Sequence, residues 1–202
     1  MRLITFAVAL FASGLAAGSP AAAQSWKEYA YPDYAFAVSF PAEPKIETTT
    51  YPAADGHPVP ARVYAVEQPG SAFKMTVADL SETGLEETVV IDHAIKTLSQ
   101  DGEIKLNIPA RVGRVFGRQL SILGQDGSRS SVALFYLKGR LYQIEGKSLP
   151  PGNATSDAIR FQQSLIFTEA SNRQPGDRQR RERGQRGAAP AAAPENPGAE
   201  RL

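Results

Sequence analysis

Two histidines are the only imidazoles available for acid–base chemistry, and the sequence has no cysteine. His57 follows Asp55 in ADGHPVP, whose glycine and prolines are typical of a loop. One imidazole and one carboxylate could contact a metal, but zinc sites in proteins use at least three protein ligands. We therefore interpret His57 as an exposed turn residue and predict neither a metal site nor a cofactor.

His93 lies in a segment of helical periodicity, away from the apolar face and beside Asp92 and Lys96. Those two charged residues have the i,i+4 spacing of an ion pair on a wet face, so we interpret His93 as a surface residue. A serine nucleophile has no support, because G-x-S-x-G is absent and GSRSS (127–131) begins a strand. We predict that the protein is not an enzyme; the alternative is a small hydrolase with His57 or His93 as its base.

Composition and motifs exclude several further classes of chemistry. Neither G-x-x-x-x-G-K nor G-x-G-x-x-G occurs, so the sequence contains no phosphate-binding loop of these kinds. The lack of cysteine excludes thiol catalysis, cysteine-ligated zinc and disulfides. A hydrophobic core must therefore stabilise the fold alone, and the segment 25–170 is about one average domain long.

Arg118 is a candidate interaction residue because of its place in a strand pattern. It shares alternation with Phe116, Leu120 and Ile122, so strict alternation would put its charge on a buried face. A buried guanidinium is tolerated only where it is paired or lines a pocket. A bulge at Gly117 would instead reset the register and turn Arg118 outward, and this is the arrangement that we expect.

The charges are distributed unevenly along the chain. Residues 25–170 carry 14 Lys and Arg against 17 Asp and Glu, whereas 171–202 carry 7 Arg against 4 acids. This last segment has no aromatic residue and is rich in Arg, Gly, Pro and Ala, so we predict a disordered tail. It could contact an anionic membrane or an acidic partner, and a solubilising role is the alternative. The candidate interaction residues of the tail are Arg178, Arg180, Arg181 and Arg183.

Four aromatic residues lie together in SWKEYAYPDY (25–34): Trp26, Tyr29, Tyr31 and Tyr34. Such a cluster could form a platform for a sugar or a peptide, since its rings offer apolar area with a polar handle. We favour the other interpretation, in which an edge strand uses these rings to cover the rim of the core.

The first 23 residues have the three parts of a secretory signal peptide. Arg2 supplies the positive start, 3–17 form an apolar run, and a small-residue site precedes Gln24. The run is too short to favour an uncleaved membrane anchor. We predict cleavage between Ala23 and Gln24 and export to a bacterial periplasm, where contact with nucleic acid is not expected.

The segment 25–170 shows strands, one helix, more strands and a closing helix. YPDYAFAVSF alternates until Pro41 and Pro44 stop it, and three more strand patterns follow at 45–51, 59–68 and 72–80, which together suggest an antiparallel meander. Thr83 and Glu86 fit a capping box before a helix that Gly102 would end. Strand patterns resume at 103–110, 113–123, 128–138 and 140–148.

A closing helix is predicted in TSDAIRFQQSLIF, with Ser156 as its N-cap and an inward stripe of Ala158, Phe161 and Leu165. The layout predicts an α+β domain in which helices cover an antiparallel sheet.

The motifs FAVSFPAEP, GRQL (117–120), FYLKGRLYQIEG (135–146) and RFQQSLIF, with the acidic-capped helix, resemble a group of exported bacterial proteins. Those proteins are similar to the PsbP-like α/β/α sandwich fold, and the resemblance covers roughly 28–168. It implies an accessory or binding role, and it transfers no set of functional residues. We expect an exported, non-catalytic accessory or binding protein. The sequence does not identify its ligand, its partner (a protein or the cell envelope) or its oligomeric state.

Overall fold

The computed structural model describes residues 25–150 and 155–168. Along these residues, five strands precede the first helix, four strands separate it from the second helix, and one short strand follows. In order they are β1 Lys27–Tyr31, β2 Phe36–Phe40, β3 Lys45–Pro52, β4 Pro58–Gln68, β5 Ser71–Asp79, α1 Glu87–Leu98, β6 Gly102–Val112, β7 Val115–Gly124, β8 Arg129–Leu137, β9 Arg140–Ser148, α2 Thr155–Gln162 and β10 Ile166–Phe167, with a single 3-10 turn, Pro32–Tyr34, between β1 and β2.

Seven of these strands form one large antiparallel sheet, in the order β3-β4-β5-β9-β8-β7-β6. The chain leaves the middle of this sheet after β5, crosses one of its faces as α1, and enters again at the far edge as β6. Three hairpins then bring it back to the centre, so that β9 pairs with β5. A smaller antiparallel sheet has the order β1-β2-β10.

The two faces of the large sheet are covered by different elements. On one face, which we call the helix face, Leu120, Leu134 and Leu141 pack in a cluster with Val90 and Ala94 of α1. On the opposite face, Tyr142 and Ile144 share a second cluster with side chains of β2, α2 and β10, notably Phe36, Phe161 and Phe167. The molecule is therefore a three-layer sandwich: α1, the large sheet, and the small sheet with α2.

Gly146 lets α2 approach β9 closely. A Cβ atom at this position would lie 2.4 Å from the carbonyl oxygen of Ala158 and 2.6 Å from its Cα atom. Both are main-chain atoms of the helix, so no side-chain rearrangement could relieve the overlap. The glycine therefore sets the distance at which the helix packs on the sheet.

The sequence-based layout is confirmed in its coarse form, antiparallel sheet with helices, and corrected in its connections. The first predicted strand does not join the meander, because β2 pairs with β1 and β10 in the small sheet. Pro41 and Pro44 therefore separate two sheets, while β3, β4 and β5 form the meander.

The predicted ends of both helices are also corrected. Glu86 is the N-cap of α1 and makes no side-chain capping bond, whereas the Thr83 hydroxyl donates to the Leu80 carbonyl at 2.8 Å, so the capping box is wrong. Gly102 does not end the helix; it begins β6. Ser156 is helical rather than a cap, since α2 begins at Thr155.

The closing helix is shorter than its periodicity indicated. It ends at Gln162, and Ile166 and Phe167 instead extend the small sheet by pairing with Ala37 and Phe36 of β2. The predicted signal peptide (1–23) and tail (171–202) lie outside the described residues. Within the part of the chain that is described, neither helix is long and apolar enough to span a bilayer.

Candidate ligand-binding groove at Arg118

A groove of about 390 Å³ lies between α1 and the β6–β7 edge of the large sheet. Its helix wall consists of Glu87, Thr88, Ile91, Asp92 and Ile95. Its strand wall consists of Asn107 from β6 with Phe116, Gly117 and Arg118 from β7. We call this feature the Arg118 groove.

Helical spacing places the residues of the helix wall in two parallel rows. Glu87, Ile91 and Ile95 follow one another at i,i+4 and form the inner row, while Thr88 and Asp92 form the second. The N-terminal side of α1 is attached to the sheet by Tyr136, whose hydroxyl donates to the Leu85 carbonyl at 3.3 Å. The position of the wall is thus defined by packing below it and by a hydrogen bond at its end.

Arg118 is held against β6 by two hydrogen bonds. Its Nε donates to the side-chain oxygen Oδ1 of Asn107 at 2.8 Å, and its Nη2 donates to the main-chain oxygen of Asn107 at 3.2 Å. A guanidinium has five N–H donors, so most of its donor capacity is not used by these two bonds. The bonds orient the planar group and leave it able to bind a further acceptor.

The expected bulge at Gly117 is wrong. Gly117 pairs with Ala110 on β6 and Phe135 on β8, and the next residues along β7 pair without a break. The register of β6 and β7 shifts between Ile104 and Leu106 instead. Because alternation continues through Gly117, Arg118 stays on the helix face, at the open edge of that face where the groove lies.

Gly117 has a different role from the predicted one. A Cβ atom there would lie 2.1 Å from the Leu134 carbonyl oxygen and 2.5 Å from Cδ1 of Phe135. The glycine therefore makes room for the neighbouring strand and for the aromatic ring opposite it. Sequence alone could not separate this close approach from a bulge, since the ring comes from a different strand.

Phe116 gives the strand wall an exposed aromatic surface. Its side chain is 67% exposed, the highest fraction among the large exposed apolar residues of the described chain. Single exposed apolar residues are common, but this one stands at the rim of a groove whose opposite wall contains Ile91 and Ile95. The sequence placed Phe116 in the pattern around Arg118 without indicating that its ring would be accessible.

The groove carries charges of both signs on facing walls. Glu87 and Asp92 lie on the helix wall and Arg118 on the strand wall. Among the described residues, none of these three takes part in an ion pair within 4.0 Å. The predicted Asp92–Lys96 pair is therefore not formed, and the carboxylates face the guanidinium without neutralising it by contact.

Neither of the two histidines lines the groove. The His57 side chain is 80% exposed, and Asp55 accepts from its main-chain amide at 3.0 Å, which confirms the turn assignment. His93 is only partly exposed, because its Nε2 lies 3.0 Å from the Pro52 carbonyl oxygen and its ring faces Tyr51. The described residues contain no group of three His, Cys, Asp or Glu side chains that could hold a metal ion.

The aromatic cluster at the start of the domain covers the core rim, as predicted. Trp26 packs edge-on against Phe73 at 5.3 Å, and Tyr31 lies 4.2 Å from Tyr64, both measured between ring centroids. All four clustered aromatics pack against the core beneath the small sheet, and β1 is an edge strand of that sheet. The rings therefore contribute to core packing, which leaves less ring surface for stacking on a sugar or a peptide.

The other candidate interaction residues fall beyond the described part of the chain. Arg178, Arg180, Arg181 and Arg183, and the cleavage site at Ala23 and Gln24, all lie outside it. The structure thus brings only Arg118 of the sequence-based candidates into a site. Glu87, Asp92, Asn107 and Phe116 were not singled out as site residues, because their proximity depends on how α1 crosses the sheet.

The fold has a structural relative. The solution structure of cyanobacterial PsbP (CyanoP) from Synechocystis sp. PCC 6803 superposes with a TM-score of 0.50 and 12% sequence identity, over 76% of this chain and 98% of that one. This chain has a PsbP-like fold.

The PsbP-like fold was expected from the strand motifs, and at 12% identity the likeness is one of fold alone. A protein of unknown function from Pseudomonas aeruginosa, PA94, aligns over 83% of this chain and 99% of its own with 8% identity, but the TM-score of 0.35 is too low to indicate a common fold. Neither a family model nor a curated protein matches this sequence. A PsbP-like fold does not define a function, so any function depends on local sites such as the Arg118 groove.

Proposed function

We propose that this chain is an exported, non-catalytic accessory or binding protein of the periplasm and that it binds its ligand in the Arg118 groove. The proposal rests on one observation: the Arg118 guanidinium lines the groove without an ion-pair partner among the described residues. This group lies on the helix face of the sheet, oriented by Asn107, with donors to spare. A partly desolvated charge of this kind is stabilised when a ligand supplies the missing acceptor.

The composition of the groove supports binding over catalysis. Thr88 supplies the only hydroxyl among its lining side chains, and neither a histidine nor a serine lines it. A hydrolase needs a base within hydrogen-bond reach of its nucleophile. Neither His57 nor His93 lines the groove, so the alternative of a histidine-dependent hydrolase gains no support from the geometry.

Export remains part of the proposal through the amino-terminal pattern. The apolar run and the small residues before Gln24 suit a secreted chain, and the lack of cysteine means that its core must stabilise the fold without disulfides. The large sheet with its two apolar clusters is consistent with that requirement, since it encloses aromatic and aliphatic side chains on both faces.

The test is a fragment screen by two-dimensional ¹H–¹⁵N NMR on the chain from Gln24 to Leu202. We expect fragments that bind to shift amide signals of Phe116, Gly117 and Arg118 together with those of Ile91 and Asp92. The Arg118→Gln variant should lose these shifts, and the matched control Arg114→Gln should keep them, because Arg114 is an exposed turn residue outside the lining set. Shifts that cluster elsewhere, or that survive in Arg118→Gln, would contradict the proposal.

A further inference from the structure

The two walls of the Arg118 groove present opposite charges that do not pair with each other. Glu87 and Asp92 are exposed on the helix wall, and Arg118 is half-buried on the strand wall. All three lie further than 4.0 Å from any partner charge among the described residues. An ammonium group is favoured near the carboxylates, and a carboxylate is favoured near the guanidinium.

This arrangement disfavours ligands that carry one sign of charge. A simple anion would be attracted by Arg118 but repelled by two carboxylates, and a simple cation would meet the guanidinium. A ligand with an ammonium at one end and a carboxylate at the other satisfies both walls. Opposed charges held apart in this way therefore select for a zwitterion.

The remaining lining residues indicate what lies between those two ends. Ile91 and Ile95 form an apolar strip on the helix wall, and the exposed ring of Phe116 faces the same space. The volume of about 390 Å³ is at the small end of the range for small-molecule sites, which starts near 300 Å³. A short chain with apolar side chains fits these dimensions.

From these features we propose that the Arg118 groove binds short peptides that have free termini and apolar side chains. The carboxyl terminus bonds to Arg118, the amino terminus lies toward Glu87 and Asp92, and a side chain packs on Phe116. This assignment rests on the proposed function, that the groove is the binding site, and adds the chemical class of the ligand.

The test compares four peptides by titration calorimetry. Leucyl-leucine carries both charges, N-acetyl-leucyl-leucine lacks the ammonium, leucyl-leucine amide lacks the carboxylate, and glycyl-glycine lacks the apolar side chains. We expect each modified peptide to bind about tenfold or more weakly than leucyl-leucine, as is typical for the loss of one charged hydrogen bond or one buried apolar group.

Protein variants identify which wall of the groove binds which terminus of the peptide. In Arg118→Gln, leucyl-leucine and leucyl-leucine amide should bind equally, because the guanidinium that distinguishes a carboxylate from an amide is gone. In the double variant Glu87→Gln with Asp92→Asn the free and the acetylated peptide should bind equally for the same reason. Arg114→Gln and Glu82→Gln are the matched controls, since both residues are exposed and neither lines the groove; both should keep the full preference.

The outcomes separate this inference from the proposed function. If all four peptides bind equally at the groove, or if no peptide binds while other fragments shift the groove signals, the peptide assignment is overturned and the binding site stands. If neither peptides nor fragments bind there, both fail. A preference that disappears only in the matching variant supports the peptide assignment, and one that disappears in a control overturns it.

Discussion

Tyr142 and Tyr51 carry buried hydroxyl groups in opposite situations. The Tyr142 hydroxyl donates to the Tyr34 carbonyl at 2.9 Å and ties the large sheet to the segment before β2. The Tyr51 hydroxyl is buried and has no hydrogen-bond partner among the described residues. A satisfied bond and an unsatisfied group contribute to stability with opposite sign.

We therefore predict different effects for the same substitution at these two positions. Tyr142→Phe should lower the free energy of unfolding by about 1 kcal/mol, because it leaves a carbonyl without its donor. Tyr51→Phe should leave that free energy unchanged or raise it. Urea unfolding at pH 7 measures both, and equal losses in the two variants would contradict the assignment of the hydroxyl groups.

Alkaline pH tests the burial of three tyrosines. Burial raises the pKa of Tyr31, Tyr51 and Tyr64 from 10.0 to about 12. Between these values the unfolded chain loses phenol protons that the folded chain keeps, so ionisation favours unfolding. Their contribution to stability is full below pH 10 and is lost as the pH rises through 12.

We predict that these three groups contribute a constant amount to the free energy of unfolding up to pH 10. Between pH 10 and 12 the free energy of unfolding should fall steeply. Urea midpoints across this range give the loss, and phenolate absorbance should show at least three tyrosines that ionise late, since burial also raises the pKa of Tyr136 and Tyr142. The Tyr51→Phe variant should lose less stability over the same interval, since it has one such group fewer. An unchanged midpoint from pH 10 to 12 would argue against buried phenols.

Arg118 shows how far a single residue can be interpreted from its neighbours. Alternation correctly placed Arg118 on the same face as Leu120 and Ile122, and a buried guanidinium there required a partner or a pocket, which the groove provides. The bulge that would have turned it outward was inferred from Gly117 and is wrong. Glycine in a strand indicates close approach as well as a bulge, and only the pairing of Gly117 with both neighbouring strands decides between them.

At the scale of elements, the packing of α2 on the sheet depends on Gly146. Because a Cβ atom there would overlap main-chain atoms of Ala158, Gly146→Ala should push the helix away from β9. We predict a loss of about 1–3 kcal/mol in the free energy of unfolding, the usual cost of overpacking a core. Urea unfolding measures it.

The matched control for that substitution is Gly70→Asn. Gly70 lies in the β4–β5 turn with a φ of 79°, and a Cβ atom at this position would have no other atom within 4 Å. Asparagine tolerates the left-handed region, so this change should cost well under about 1 kcal/mol. If Gly146→Ala is as mild as the control, α2 does not pack on β9 as closely as described.

At the scale of the whole molecule, the carboxyl-terminal boundary of the fold can be tested by two truncations. Phe167 is buried against Tyr142, and the Thr168 amide donates to the Ala35 carbonyl at 3.0 Å. A chain that stops after Ala170 should therefore keep full stability, if the tail is disordered as the sequence predicts, because a disordered segment contributes no burial. A chain that stops after Leu165 loses β10 and should be destabilised by about 3 kcal/mol or more, the usual cost of removing a buried phenylalanine. Thermal unfolding distinguishes them, and equal stability would place the boundary elsewhere.

The same truncation after Ala170 tests the tail as a membrane contact. It removes the arginine-rich segment, in which each arginine near an anionic surface contributes about 1 kcal/mol. We predict that binding to anionic vesicles, if the full-length chain shows it, is lost on truncation and weakens as salt is raised from about 0.1 M. Co-sedimentation measures this, and equal binding by both chains would rule out the tail as the contact.

Export is tested by the mass of the protein recovered from the periplasm. Cleavage between Ala23 and Gln24 should give a chain that begins at Gln24, because the preceding small residues fit the signal peptidase site. Intact-mass spectrometry reads the amino terminus directly. A chain that retains Met1 would contradict cleavage.

The sequence by itself determined the type and the approximate bounds of most elements. The alternation at 59–68, 72–80 and 140–148 marks β4, β5 and β9 to within a residue or two, and the helical periodicity around His93 marks α1. These patterns are local, because side chains repeat every two residues in a strand and every 3.6 in a helix. Resemblance in the same short motifs indicated the PsbP-like fold.

Only the tertiary structure decided which elements meet. It placed β2 in a small sheet, returned Ile166 and Phe167 to it as β10, and set α1 across the large sheet so that Glu87 and Asp92 face Arg118. These contacts join residues far apart in the chain, and they form because both faces of one sheet must be covered. The Arg118 groove exists where that cover stops short of the β6 edge, and no local pattern contains this information.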